Sequence, residues 1–136
     1  MRFPIIAALL AAACSQEKLT ATGAPAGVFI GAGRNALCIA GEGNAQRAGL
    51  IVYGEGDRNC SASGKIESAR DGFVLIPAGE GDCRIPLAFA NRSITIGPVP
   101  AACEYYCGSD AALEGTTFAR AQAATPVTDL AGDPLC

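Results

Sequence analysis

The chain has 136 residues, a formal net charge of −3, and neither histidine nor tryptophan. Without histidine, no serine or cysteine nucleophile can draw on an imidazole base, and without a basic stripe neither nucleic acid nor charge-driven adhesion to anionic lipid is expected. The length suits one domain, whose small apolar side chains each contribute only about 1.5–3 kcal/mol on burial, so crosslinks become a second source of stability.

The chain opens with Met1-Arg2-Phe3-Pro4-Ile5-Ile6-Ala7-Ala8-Leu9-Leu10-Ala11-Ala12-Ala13-Cys14. One positive side chain, an apolar run from Phe3 to Ala13 and three small residues before a cysteine have the layout of an export signal with its cleavage site. The run is too short for a transmembrane helix, which needs about 20 residues. Leu10-Ala11-Ala12-Ala13-Cys14 resembles the lipobox of bacterial lipoproteins, with Ala11 where leucine is commonest. The resemblance implies a signal peptide over residues 1–13 and a Cys14 acylated through its sulfur as the mature N-terminus. It further implies a membrane partner, reached through the lipid on Cys14, and a place in the bacterial envelope. Ser15, where an aspartate would be a sorting signal, points to the outer membrane, facing the periplasm. Ala11-Ala12-Ala13 also fits the A-x-A site of ordinary secretion, which would leave Cys14 as a plain thiol. Cysteine parity favours the lipobox, because removing Cys14 from seven cysteines leaves an even set of six.

Residues 14–26 read as the lipidated N-terminus and a flexible tether, small and polar, with Gly23 and Pro25 and no periodic apolar face. The crosslinked β domain is then expected over residues 27–136. Short runs with strand character follow at Gly27–Gly31, Ala36–Ala40, Gly49–Tyr53, Ser61–Glu67, Phe73–Ile76, Arg84–Ala90 and Ser93–Ile96. Nothing between them is long enough for a crossover helix, so the expected fold is mainly β: an antiparallel meander of about seven strands, barrel or sandwich. Leu50-Ile51-Val52-Tyr53 and Phe73-Val74-Leu75-Ile76 are continuous apolar runs, which predicts strands covered on both faces.

Three separators share a pattern: Gly41-Glu42-Gly43-Asn44, Gly54-Glu55-Gly56-Asp57 and Gly79-Glu80-Gly81-Asp82. A glycine at the third place admits positive φ and the following Asn or Asp bonds local amides, so these read as tight turns. The rival reading is a calcium site, but the spacing lacks the D-x-D-x-D-G run, and no metal is expected.

Beyond Ile96 the texture changes. Gly97-Pro98-Val99-Pro100 ends the last strand, because proline cannot donate to a ladder. Ala101–Tyr106 predicts a short C-terminal helix, with Cys103 and Cys107 on one face and Gly108 as terminator. Thr116–Arg120 fits a last strand or an extended cover. Residues 121–136 read as loop, pinned at the end by Cys136.

The six cysteines, Cys38, Cys60, Cys83, Cys103, Cys107 and Cys136, predict three disulfides with fifteen ways to pair. On one helical face the Cβ atoms of Cys103 and Cys107 would lie about 5–6 Å apart, beyond the mean of about 3.8 Å in a disulfide. Each is therefore expected to bond a different segment. A redox role is disfavoured, because Cys103-Glu104-Tyr105-Tyr106-Cys107 has one residue too many for C-x-x-C and a carboxylate beside the thiol. Zinc is disfavoured by the lack of histidine.

The composition points to a non-catalytic binding or structural role without a cofactor. A small lipid-anchored crosslinked β domain is similar in organisation to periplasmic lysozyme inhibitors, which makes an inhibitor of a lysozyme-like enzyme the first alternative and implies a protein or glycan partner in the envelope. The second alternative is a carboxylate-dependent hydrolase of envelope glycans using Glu55 with Asp57 or Glu80 with Asp82, which requires two carboxyls across a cleft. Tyr105 and Tyr106 form the candidate binding face. Adjacent side chains in a short helix cannot point the same way, and tyrosine is favoured in contacts.

Overall fold

Along each expected run, residues of even and odd number meet different surroundings, and the alternation sets which side chains turn inward. The computed structural model describes residues 23–79, 81–108, 111–122 and 125–136. Residues 1–22, with the expected signal peptide, Cys14 and most of the expected tether, lie outside the described residues.

Eight strands form in chain order: β1 Gly27–Ile30, β2 Ala36–Ala40, β3 Arg47–Tyr53, β4 Asn59–Ala69, β5 Gly72–Pro77, β6 Ile85–Ala90, β7 Ser93–Ile96 and β8 Thr117–Arg120. Each pairs antiparallel with the next, and β8 returns to β1 through Phe29 opposite Arg120 and Ile30 opposite Ala119, so the sheet is a closed barrel. The sequence predicts about seven strands and leaves Thr116–Arg120 between strand and cover. It is the eighth strand, and it removes both open edges of the meander at once.

Inside the barrel, Phe29, Leu37, Leu50, Leu75, Ile85, Leu87, Ile94 and Phe118 are fully buried in one core. An eight-stranded barrel has an interior that side chains can fill, and these fill it. The buried positions of β3 and β4 also include the small residues Ala48, Ala62 and Gly64.

A second, smaller cluster lies on the outer face of β2 and β3, where Cys38 and Ile51 are covered by Val127 and Leu135 of the C-terminal segment. Leu135 donates its N–H to the carbonyl of Val127 at 3.0 Å, folding the segment into a loop. The Cys38–Cys136 disulfide then fixes its end. Leu50–Tyr53 is thus covered on both faces, as its continuous apolar run requires. Phe73–Ile76 is not: Leu75 is buried, but Val74 and Ile76 are half-buried on the outer wall, because the covering segment ends over β1 to β3.

The three glycine-rich separators are connections between strands, with positive φ at Gly43, Gly56 and Gly81. A single 3₁₀ turn, Gly43–Ala45, sits in the first.

The chain enters the barrel earlier than the sequence suggests. Within residues 23–26, expected in the tether, Pro25 and Ala26 stay exposed while Ala24 is buried in the core cluster. Gln46 holds it, donating from Nε2 to the Ala24 carbonyl at 2.7 Å and accepting the Ala24 N–H on Oε1 at 2.7 Å. A glutamine amide presents one donor and one acceptor in the geometry of a backbone peptide, so Gln46, 5% exposed, acts as a strand edge one residue long. Gln46→Leu is expected to leave both Ala24 groups without a partner and to cost about 1–3 kcal/mol. Chemical denaturation measures the loss, and faster amide exchange at Ala24, with unchanged exchange in β6, localises it.

Candidate functional site

The two ends of the barrel differ in how they are finished. The connections β1–β2, β3–β4, β5–β6 and β7–β8 lie at one end, and the chain entry with the β2–β3, β4–β5 and β6–β7 connections lies at the other.

The first end is closed. Pro98 and Pro100 take the chain out of the sheet, and residues Ala101–Tyr106 form a 3₁₀ helix. Its turns are held by Cys103 N–H to the Pro100 carbonyl and Cys107 N–H to the Glu104 carbonyl, each at 3.0 Å. Sequence spacing predicts Cys103 and Cys107 on one helical face. The helix has three residues per turn and the backbone at Cys107 is extended, and the two cysteines bond different segments, as the sequence predicts. Cys103 bonds Cys83 in the β5–β6 connection, and Cys107 bonds Cys60 at the start of β4. Gly108 N–H adds a 2.8 Å hydrogen bond to the Asn59 carbonyl. Glu104, Tyr105 and Tyr106 therefore sit between two crosslinks, with Cys60, Cys83 and Cys103 buried beneath.

On this cap Tyr105 is 87% exposed, whereas Tyr106 is half-buried against the core. Their rings meet edge to face with centroids 5.2 Å apart. Beside the helix, Val99, Cys103, Ala111, Leu113 and Glu114 line an open hollow of about 280 Å³.

Two neighbouring connections at the same end are clamped by a residue that sequence reading passes over. Arg34 pairs with the Asp57 carboxylate at 3.0 Å, donates to the Gly56 carbonyl at 2.9 Å, and lies over the Tyr53 ring at 3.9 Å. Asn35 accepts the Tyr53 N–H at 2.8 Å. No pattern in the sequence marks Arg34, since its hydrogen-bond partners Gly56 and Asp57 lie 22 and 23 residues away.

The carboxylate pairs considered for hydrolysis are placed as follows. Glu55 and Asp57 share one exposed connection, and Asp57 is committed to Arg34. Asp82 is exposed, and Glu80 lies outside the described residues. Among the described residues no three of Cys, Asp and Glu are grouped as metal ligands.

The opposite end is a mouth rather than a cap. A depression of about 430 Å³ is lined by Gly23, Asn44, Gln46, Lys65, Glu67 and Phe73. Phe73 meets Phe89 edge to face, 5.2 Å between centroids.

No family model, curated protein or solved structure matches this chain.

Proposed function

We propose that the chain is a lipid-anchored protein of the bacterial envelope whose barrel has a non-catalytic binding role, presenting the closed end and Tyr105 to a protein partner. The observation that carries this reading is the placement of a large, exposed aromatic ring on the most heavily crosslinked turn of the molecule. Binding costs the ordering of the groups that bind. A ring carried on backbone held between the Cys83–Cys103 and Cys60–Cys107 disulfides leaves only side-chain rotamers to order on binding. Tyrosine offers a large apolar face with a hydroxyl at its tip, the combination enriched in contact anchors. Three disulfides further support an oxidising compartment outside the cytoplasm.

The same end is acid-rich, with Glu55, Asp57, Asp82, Glu104 and Glu114 against Arg34, Arg58 and Arg84 among the described residues. That surplus favours a basic protein partner and makes inhibition of a lysozyme-like enzyme the specific form to assay first.

A photo-crosslinking side chain at Glu104, next to Tyr105, is expected to trap the partner in intact cells. Tyr105→Ala is expected to weaken the interaction by roughly ten- to hundredfold, the scale of an aromatic hot spot, while leaving the thermal midpoint unchanged because the ring is solvent-exposed. Equal trapping from Glu104 and from Ala90 at the opposite end would sink the assignment of the face. Loss of growth-phase membrane association in Cys14→Ser tests the anchor separately.

A further inference from the structure

The charges that are scattered in the sequence are sorted by the barrel. Around the mouth, the topology gathers Arg47 at the start of β3, Lys65 on the adjoining wall, Arg70 in the β4–β5 turn, Arg92 in the β6–β7 turn and Arg120 at the end of β8. Among the described residues of the strands and turns at that end the anions are Glu42, Glu67 and Asp71, so cations exceed anions there by two, with Asp129 and Asp133 in the C-terminal segment counted at neither end. At the closed end, described anions exceed cations by two. Lys65 is paired with Glu67 at 3.0 Å, and Arg120 is spent on the Ala26 carbonyl at 2.8 Å. Arg47, Arg70 and Arg92 are exposed and make no ion pair among the described residues.

The chain also enters at this mouth. Gly23 lines the depression, and the nine residues that lead back to Cys14 can reach at most about 32 Å. A lipid on Cys14 therefore tethers the positive end of a polarised molecule.

We propose that the open end of the barrel docks on the anionic lipid surface of the membrane through Arg47, Arg70 and Arg92, holding the Tyr105 end outward. Overall acidity conceals this, because a chain with net charge −3 shows no basic stripe until the turns are brought to one end. Attraction of a basic side chain to an anionic surface is local, falling off within a Debye length of about 8–10 Å. The near end's excess of two positive charges, with Glu42 and Asp71 counted against the arginines, therefore acts on the surface more strongly than the acids at the far end. The proposal rests on the anchor reading for its orientation, and its test supplies a tether artificially so that the two can fail separately.

In that test, the chain from Ser15 onward, carrying an N-terminal histidine tag, is attached to vesicles through a nickel-chelating lipid. A fluorophore is placed by a non-canonical residue at Ala90, beside the mouth, or at Glu104, on the cap, leaving the cysteines untouched. Energy transfer to a headgroup acceptor is expected to be higher from position 90 than from 104 on phosphatidylglycerol vesicles. The difference should collapse on phosphatidylcholine, at high salt, and in Arg47→Glu/Arg70→Glu/Arg92→Glu. Without the tag, each arginine removed should weaken sedimentation with anionic vesicles by about fivefold at low salt, on the order of 1 kcal/mol each. Transfer that is equal from both ends, or higher from position 104, or insensitive to the triple substitution, overturns the proposal. Circular dichroism of the triple variant checks that the barrel is retained, and the lysine variants at the same three positions should restore the difference. Absence of acyl groups on Cys14 in cells would withdraw the natural anchor while leaving the vesicle result to stand or fall by itself.

Discussion

Gly64→Val is expected to leave the barrel unable to close, with a loss of at least about 3 kcal/mol, at the severe end for single substitutions. Gly64 is the corner of β4. It pairs with Ala48 of β3 on one side and with Pro77 of β5 on the other, so β4 changes partners around it. A barrel needs strands that coil, and glycine marks the places where one backbone runs close to another. A Cβ at this position would collide with the Ile76 carbonyl oxygen and come within 2.9 Å of the Ala78 nitrogen. Those atoms cannot easily retreat, because Ala78 N–H donates to the Ser63 carbonyl at 2.9 Å. The clash is thus backbone on side chain, with no flexible tip to give way. Gly108→Ala is the matched control, since its nearest neighbour would lie at an ordinary 3.6 Å. Urea denaturation of both variants checks the expectation, and a loss below 1 kcal/mol for Gly64→Val would show that β4 can re-bend without its glycine.

The second large effect is expected from the disulfide that closes the C-terminal segment. The three crosslinks are nested: Cys83–Cys103 lies within Cys60–Cys107, which lies within Cys38–Cys136. Removing the outer one while the others remain therefore frees less chain than its separation of 98 implies. With Cys60 joined to Cys107, the open path comprises 22 residues from Cys38 to Cys60 and 29 from Cys107 to Cys136, a loop of about 50 residues. Chain entropy for such a loop amounts to roughly 4 kcal/mol.

Packing adds to this, because Val127 and Leu135 leave the outer face together with the sulfur. Leu135 rests directly on Gly49, whose missing side chain lets the segment lie close to β3. Cys38→Ala/Cys136→Ala is expected to lose at least about 4 kcal/mol in denaturant and to bind a hydrophobic dye where Ile51 becomes uncovered. Amide exchange should rise at Leu135 and remain slow at Leu50, within the barrel. A drop of under 1 kcal/mol would mean that the segment holds its place by packing alone.

How much of this was legible beforehand follows from the range of each interaction. β2 and β7 match the expected runs Ala36–Ala40 and Ser93–Ile96 residue for residue, because hairpin registers are set by turn chemistry a few positions away. Six cysteines in an even set announced three crosslinks, and their pairing followed only once the fold had placed Cys60 beside Cys107 as a β-bridge. Thr117–Arg120 stayed ambiguous because a four-residue strand carries little periodicity, and its role depends on β1, some 90 residues earlier. Gln46, Arg34 and the arginines of the mouth left no mark in the sequence. The partners of Gln46 and Arg34 are distant along the chain, the mouth arginines come together only through the topology, and a lone polar residue after a turn looks the same whether it strands in solvent or clamps a backbone.

Composition and spacing by themselves determined a β-rich meander with crosslinks, since alternation, turn residues and cysteine parity are local properties of the chain. Only the tertiary structure decided that the meander closes into a barrel, that its lumen is filled, and that Tyr105 stands at one end with Arg47, Arg70 and Arg92 at the other. The reason is geometric: closure brings residues from opposite ends of the chain onto one rim, and no window along the sequence is long enough to see it.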